Sequence, residues 1–371
     1  MEFIDLKRQY QHHREVIDAA VAEVIASARY ILGRQDEELE ERLAGFAGVR
    51  EAIGVGSGTD AIQAALMALE LKPGDEVICP AFTFVAPAET VTLLGGRPVF
   101  VDSEPTALTI DPAAAAAAIT GKTVGLIGVD LFGQCARLEE IEALAEKHGL
   151  WVIEDGAQSF GARRNTRPAC SFGDIATTSF FPAKPLGAFG DGGMAFTNDE
   201  ALARRLRAVR NHGQSQRYRH DIIGFNGRLD NLQAAVLLAK LGFFEEEVEK
   251  RQAAAQAYTR ALAGLDGLET PVLLKGNTSI WAQYTIKACR RDELAAHLKA
   301  AGIPFAIHYP VPLNRQPAFQ GVGPPAQELP VAEDLCGRVI SLPLHPYLTE
   351  AEQNQVVAAL ASFFESGAAA A

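Results

Sequence analysis

Cysteine is scarce in this chain and carries no pattern. The five residues, Cys79, Cys135, Cys170, Cys289 and Cys336, are scattered, odd in number and include no Cys-x-x-Cys pair. That excludes a disulfide framework and a paired-thiolate zinc site, and it fits reduced thiols in a cytosolic protein with no bound metal. Positive charge is in deficit as well. Thirty-four Lys and Arg face 46 Asp and Glu, a net charge of −12, so no basic face is offered to nucleic acid or anionic lipid. No uninterrupted apolar run reaches membrane-spanning length, and Met1-Glu-Phe-Ile-Asp-Leu-Lys-Arg8 has no signal-like apolar stretch. No internal repeat is visible. The expectation is a cytoplasmic protein without a membrane or nucleic-acid partner. What remains is ordinary globular material: 371 residues, 48% hydrophobic and 22% charged. That length suits one large and one small domain.

Short apolar runs alternate with helical stretches through most of the chain. Strands are expected at 76–79, 98–102, 125–131, 151–154, 175–180 and 193–197. Helices are expected at 14–31, 37–47, 61–71, 84–94, 111–120 and 138–148. Such alternation predicts an α/β fold, a mostly parallel central sheet with helices on both faces. The alanine run 113–118 reads as a plain surface helix. Residues 230–262 read as one long helix or two abutting ones. The character then changes to a small α+β region: a strand at 281–288, a helix at 292–301, a strand at 305–308 and a closing helix from 350. The division expected is a large α/β domain over 1–249 and a small one over 250–371. The alanines at 368–371 are expected to fray.

The chemistry centres on Lys184, in Ser179-Phe-Phe-Pro-Ala-Lys184-Pro-Leu-Gly-Ala-Phe-Gly-Asp-Gly-Gly193. Upstream, the apolar run from Leu150 ends in Glu154-Asp155-Gly-Ala-Gln158. Lys184 follows Asp155 by 29 residues, about a strand, a loop and another strand. That spacing puts an amine and a carboxylate at neighbouring strand ends, where open α/β sheets keep their sites. Alone, each residue has an ordinary reading: the lysine as a solvated loop charge, the aspartate as a helix cap. Together, a lysine able to form a Schiff base and an aspartate able to keep a pyridinium nitrogen protonated are the two groups that pyridoxal 5'-phosphate requires. Gly54-Val-Gly-Ser57-Gly58-Thr59-Asp60 opens a helix after a strand and reads as a phosphate cradle. As a dinucleotide fingerprint it fails, since Thr59 stands where glycine is needed.

The motifs Ser57-Gly-Thr-Asp60, Pro80-Ala-Phe-Thr-Phe84, Glu154-Asp-Gly-Ala-Gln158, Ser179-Phe-Phe-Pro-Ala-Lys184, Asn226-Gly-Arg-Leu-Asp230 and His308-Tyr-Pro310 make the chain resemble the DegT/StrS-type nucleotide-sugar aminotransferases. These have the aspartate-aminotransferase fold (type I) of pyridoxal-phosphate enzymes. The resemblance spans nearly the whole chain. Within that family it is most similar to the enzymes that aminate UDP-2-acetamido-2-deoxy-3-oxo-glucuronate. The cues are His212-Gly-Gln, Arg217-Tyr-x-His220 and the His-Tyr-Pro-x-Pro-Leu-Asn-Arg-Gln-Pro stretch. Asp191 stands where the family often has glutamate, which keeps the carboxylate. Nothing is drawn from the irregular stretch 164–168.

The resemblance implies Lys184 as the Schiff-base lysine and Asp155 as the partner of the ring nitrogen. It implies Ser57, Gly58, Thr59 and Ser179 at the phosphate, Phe84 stacked on the ring and Gln158 near its phenolic oxygen. Asn226 is expected to reach the phosphate from the neighbouring subunit, so that a homodimer shares its sites. Arg228 and Arg315 are the cations expected to meet substrate carboxylates, with His308 and Tyr309 lining the sugar. Arg228 has a competing reading as the partner of Asp230. The implied reaction moves an amino group from L-glutamate to a nucleotide-linked keto sugar for surface polysaccharide such as O-antigen. Three alternatives stay open: a dTDP- or UDP-linked 3- or 4-keto-6-deoxy sugar as substrate, a non-sugar transferase of the same fold, and a non-catalytic cofactor-binding regulator.

Overall fold

The computed structural model describes residues 1–322 and 328–368; of the expected alanine tail, 369–371 lie outside the described residues. Helices α1 (Leu6–Ser27) and α2 (Arg34–Ala47) lead into β1 (Glu51–Val55) and α3 (Gly58–Ala68). Then come β2 (Glu76–Pro80), α4 (Ala86–Leu93), β3 (Arg97–Val101), α5 (Pro112–Ala117), β4 (Thr123–Val129), α6 (Leu138–His148) and β5 (Trp151–Asp155). A small hairpin, β6 (Arg163–Arg164) and β7 (Arg167–Pro168), precedes β8 (Ile175–Ser179) and β9 (Gly193–Thr197). Helix α7 (Glu200–Val209) and a second hairpin, β10 (Gln214–Gln216) with β11 (Arg219–His220), lead to α8 (Asn231–Leu241) and α9 (Phe244–Leu262).

Seven strands form the central sheet in the order β1-β9-β8-β5-β4-β2-β3. Only β9 runs against the rest, pairing antiparallel with both β1 and β8. The parallel strands are apolar on both sides, as burial between two helix layers requires. Side chains alternate across a strand: Val77 and Cys79 of β2, with Ile127 and Ile153, join the core under α3, α4 and α7. Ile78, Leu126 and Val152 turn to the opposite face and pack with Leu138 and Ile141 of α6. Each such side chain, fully buried, contributes about 1.5–3 kcal/mol.

The remaining elements are β12 (Leu268–Glu269), β13 (Tyr284–Ala288), α10 (Arg291–Ala300), α11 (Pro330–Arg338), β14 (Val339–Leu342) and α12 (Glu350–Ala368). Antiparallel β12-β13-β14 carries its own core, in which Tyr258 of α9 packs with Tyr284, Leu294 and Leu360. Position 249/250 falls inside α9, which therefore reaches from one core to the other. The strand expected at 305–308 does not form. Pro304 and Pro310 bracket it, and Ala306 makes a single bridge to Ser341, while β14 pairs with β13 instead. The stretch 230–262 breaks into two helices at Gly242 and Phe243. No helix among the described residues is long and apolar enough to cross a membrane.

Candidate active site

The C-terminal ends of the parallel strands bring the motifs together. Asp155 closes β5 and lies level with Thr177 of neighbouring β8. Two residues on, Ser179 faces Gly193 across the β8–β9 ladder, so Lys184 rides on the loop joining these strands. That loop is tied internally by Phe180 N to Gly192 O at 2.7 Å, Ala188 N to Phe180 O at 2.7 Å and Lys184 N to Phe181 O at 2.8 Å. The spacing of 29 residues thus does what the sequence predicts: it seats an amine and a carboxylate at adjacent strand ends.

The cradle forms where β1 turns into α3. Ser57 caps the helix, its Oγ accepting the Asp60 amide at 3.0 Å. The amides of Gly58 and Thr59 have no protein acceptor among the described residues, which leaves two donors at a helix N-terminus for an anion. Space there is set by glycine. A Cβ on Gly58 would stand 2.6 Å from Ser179 Cβ, and one on Gly193 would stand 2.3 Å from Ser57 O. The turn and the end of β8 therefore touch, and Ser179 belongs to the same cradle.

Burial raises the pKa of the Asp155 carboxyl; the Ala157 amide, which donates to Oδ1 at 3.0 Å, and the Lys184 charge pull it back. No other protein donor reaches this carboxylate among the described residues. Burial lowers the Lys184 ammonium, and the Asp155 charge opposes the shift. The second wall comes from the far end of the chain. His308 is also lowered by burial, with Lys184 adding to the effect, and its Nδ1 lies 3.2 Å from Ser341 Oγ. Burial raises the Tyr309 phenol, to which Gln158 Nε2 donates at 3.3 Å. Gln158 Oε1 meanwhile accepts the Phe132 amide at 2.9 Å. The Tyr309 ring lies 6.2 Å from that of Phe84, which is 52% exposed. An exposed aromatic beside half-buried polar side chains suits stacking on a flat ring.

The cluster of Asp155, Gln158, Lys184, Phe84, His308 and Tyr309 beside the cradle fits pyridoxal phosphate. It offers a buried carboxylate short of donors, an amine with a lowered pKa and a glycine-shaped anion site. Of the other expected residues, Asn226 and Arg228 lie on a segment beside the cradle. Asn226 is exposed and forms a bridge with Asn211. Gly227 O accepts the Gly56 amide at 3.0 Å, which holds this segment alongside the cradle. Arg228 Nη1 donates to Asn211 Oδ1 at 2.8 Å, and its buried Nε has no partner among the described residues. No ion pair joins it to Asp230 among the described residues. Arg315 is engaged elsewhere, in a 2.6 Å salt bridge with Glu333.

Two supporting groups were not singled out from the sequence. Glu154 accepts the amides of Cys170 and Phe172 at 2.7 and 2.8 Å. Asp130 accepts Ser159 Oγ at 2.8 Å and the Ala136 amide at 2.7 Å. Burial raises both carboxyls, and together they brace the loops around Asp155 and Gln158. The acid next to Asp155 was the available signal; Asp130 had none.

This fold and site define a pyridoxal-phosphate aminotransferase architecture. The chain belongs to the DegT/DnrJ/EryC1/StrS aminotransferase family, whose model matches residues 11–361. It is 49% identical to the UDP-2-acetamido-2-deoxy-3-oxo-D-glucuronate aminotransferase of Pseudomonas aeruginosa, over 97% of this chain and 99% of that one. It is 44% identical to a pleiotropic regulatory protein of Geobacillus stearothermophilus, over 97% and 98%. Its structure superposes on DesV of S. venezuelae, solved in complex with a ketimine intermediate, with a TM-score of 0.95 and 42% identity over 98% of each chain.

Proposed function

We propose that this chain is a pyridoxal-phosphate-dependent aminotransferase that transfers an amino group from L-glutamate to a nucleotide-linked keto sugar. The observation that carries this reading is the half-buried Lys184 and the buried Asp155 at adjacent strand ends, beside an anion cradle. When bound, the cofactor supplies an electron sink for the carbon that loses a proton. Asp155 holds a proton on the ring nitrogen. Its buried carboxylate gains there the cationic donor that the protein does not provide. Lys184 holds the cofactor between turnovers, and its lowered pKa keeps a larger share of the amine free to accept and return the Cα proton. Ser57, Gly58, Thr59 and Ser179 hold the phosphate, Phe84 packs on the ring and Gln158 orients its phenolic side. His308, neutral through burial, and Tyr309, held as the phenol, line the sugar side.

The proposed substrate is a UDP-linked 3-keto hexuronate, UDP-2-acetamido-2-deoxy-3-oxo-glucuronate, which serves surface polysaccharide synthesis in the cytoplasm. Its carboxylate needs a placed cation in a protein of net charge −12. Arg228 suits it: the guanidinium has no carboxylate partner among the described residues, and its fork matches a carboxylate in two-point contact. Arg315, tied to Glu333, is the weaker candidate. A homodimer with shared sites is proposed too. Phe181, Phe189, Tyr30, Ile31, Leu32 and Ile223 are all exposed, an apolar set that a second copy would cover. Asn226 would then reach the partner's phosphate. The proposed division is a large domain over 1–249 and a small one over 250–371, with the boundary inside α9.

The test is a panel of amino donors and nucleotide keto sugars read by mass spectrometry, with Lys184→Ala as the inactive control. Amination of the 3-keto uronate from glutamate is the expected result. Efficient amination of a keto-6-deoxy sugar with the uronate ignored would replace the substrate. Cofactor fixed on Lys184 by borohydride without any turnover would favour a regulator, the role named for the Geobacillus relative.

A further inference from the structure

Lys240 is a charge set in an apolar helix face. It stands near the end of α8, in Ala-Ala-Val-Leu-Leu-Ala-Lys240-Leu, and is 2% exposed. An ammonium removed from water needs hydrogen bonds or opposite charge in exchange. Its Nζ donates to the backbone oxygen of Gly187 at 2.6 Å and lies 5.0 Å from the centroid of the Phe189 ring. No carboxylate pairs with it among the described residues. Glu247 acts on it only at longer range and is itself bonded by Gln9 at 2.9 Å and Tyr347 at 2.5 Å. Burial lowers the lysine to about 8, Glu247 opposes this and Arg251 adds to it. The ammonium therefore persists at neutral pH.

Both of its contacts fall on the loop that carries Lys184. Gly187 lies three residues beyond that lysine, at a point so crowded that a Cβ would stand 2.3 Å from Pro182 O. The same helix supplies a second tie, Gln233 Oε1 accepting the Phe189 amide at 2.8 Å. The loop's own backbone bonds tie it to itself and to its strand ends, not to the helix beneath. It is gripped from below by two side chains of that packed helix.

We propose that Lys240 is a positioning residue: through the Gly187 carbonyl it fixes the loop so that the neutral Lys184 amine meets the cofactor aldehyde in a reactive geometry. There a C=N bond would replace C=O, and the oxygen would leave as water with the two amine protons. The proposal rests on the reading of Lys184 as the cofactor-bearing lysine. A charge-assisted bond holds its acceptor more tightly than a neutral one, and capture of a carbonyl carbon is steeply sensitive to placement.

The test adds pyridoxal phosphate to apoenzyme and follows the capture rate by absorbance, with borohydride fixation mapping the lysine used. Parent, Lys240→Met and Lys240→Gln are compared, each with its urea midpoint. In the parent, label on Lys184 is expected; label elsewhere overturns the site reading and this proposal with it. Given label on Lys184, Lys240→Met should slow capture at least about tenfold. Lys240→Gln, whose amide donates from a shorter arm, should slow it about threefold. Parental capture by Lys240→Met, or slowing that only tracks the loss of folded protein, overturns this inference and leaves the site reading intact. If Lys240→Met does not fold, Lys240→Gln decides, and a rate equal to the parent's overturns the proposal.

Discussion

Asp155 lies buried at the end of β5, where among the described residues a single amide, that of Ala157, donates to its carboxylate. A buried carboxylate normally collects several donors, and scarcity of them raises its pKa. The arrangement makes sense for a group whose missing partner is a protonated ring nitrogen. Asp155→Asn should keep the fold and still bind cofactor, because the amide is nearly isosteric and carries no charge to bury. The ring nitrogen then has no anion to hold its proton. A fall in turnover of at least about a hundredfold is expected, measured under saturating glutamate and keto sugar. Near-parental turnover would remove Asp155 from the chemistry.

At the level of elements, the two ends of the chain are fastened to each other. Arg8 of α1 grips Glu352 of α12 in a fork, with bonds of 2.8 and 2.7 Å, and also reaches Tyr347 O at 3.0 Å. Arg8 depresses the Glu352 carboxyl to about 2, burial opposing. A carboxylate whose folded pKa is depressed stabilises fully above its unfolded pKa of about 4.5. That contribution fades as pH falls toward the folded value. Glu352→Gln should therefore lower the urea midpoint at pH 7 by the equivalent of about 1 kcal/mol. The gap from the parent should narrow steadily below pH 4.5; a gap independent of pH would show that the charge contributes nothing. The sequence was uneven about such elements. Parallel strands such as 76–79 and 151–154 were legible because burial on both faces leaves a bare apolar run between turns. The expected strand at 305–308 failed because two prolines bracket it and β14 had already found β13. Helix α11 and strand β14 abut at Val339 with no loop between them, and Gly337 falls inside the helix's last turn. Lys184 and Asp155 were legible because their spacing encodes a strand, a loop and a strand. Lys240 and Asp130 were not, since their partners are backbone atoms and a hydroxyl that only the folded chain brings near.

At the scale of the whole molecule, the proposed shared site turns on Asn226. Asn226 is exposed close to its own cradle, held there by the Asn211 bridge and by the bond from Gly56 N to Gly227 O. The exposed Phe181 and Phe189 flank the lysine loop, and Ile223 precedes Asn226 by three residues. The proposed dimer would cover these exposed apolar side chains, and a twofold dimer presents the same segment to both sites. If Asn226 serves the partner's phosphate, a Lys184→Ala chain keeps a good Asn226 but no amine, and an Asn226→Ala chain keeps the amine but no donor for its partner. Each homodimer is then defective at both sites. Random reassembly of equal amounts makes about half the dimers mixed, each with one intact site, so activity should return to about a quarter of the parental level. Denatured and refolded mixtures, assayed over a range of ratios, measure this directly, with each variant alone as its own baseline. The yield should peak at equal proportions and fall to either side. Activity that merely follows the amount of the Asn226→Ala chain, with no maximum, would mean that each subunit completes its own site.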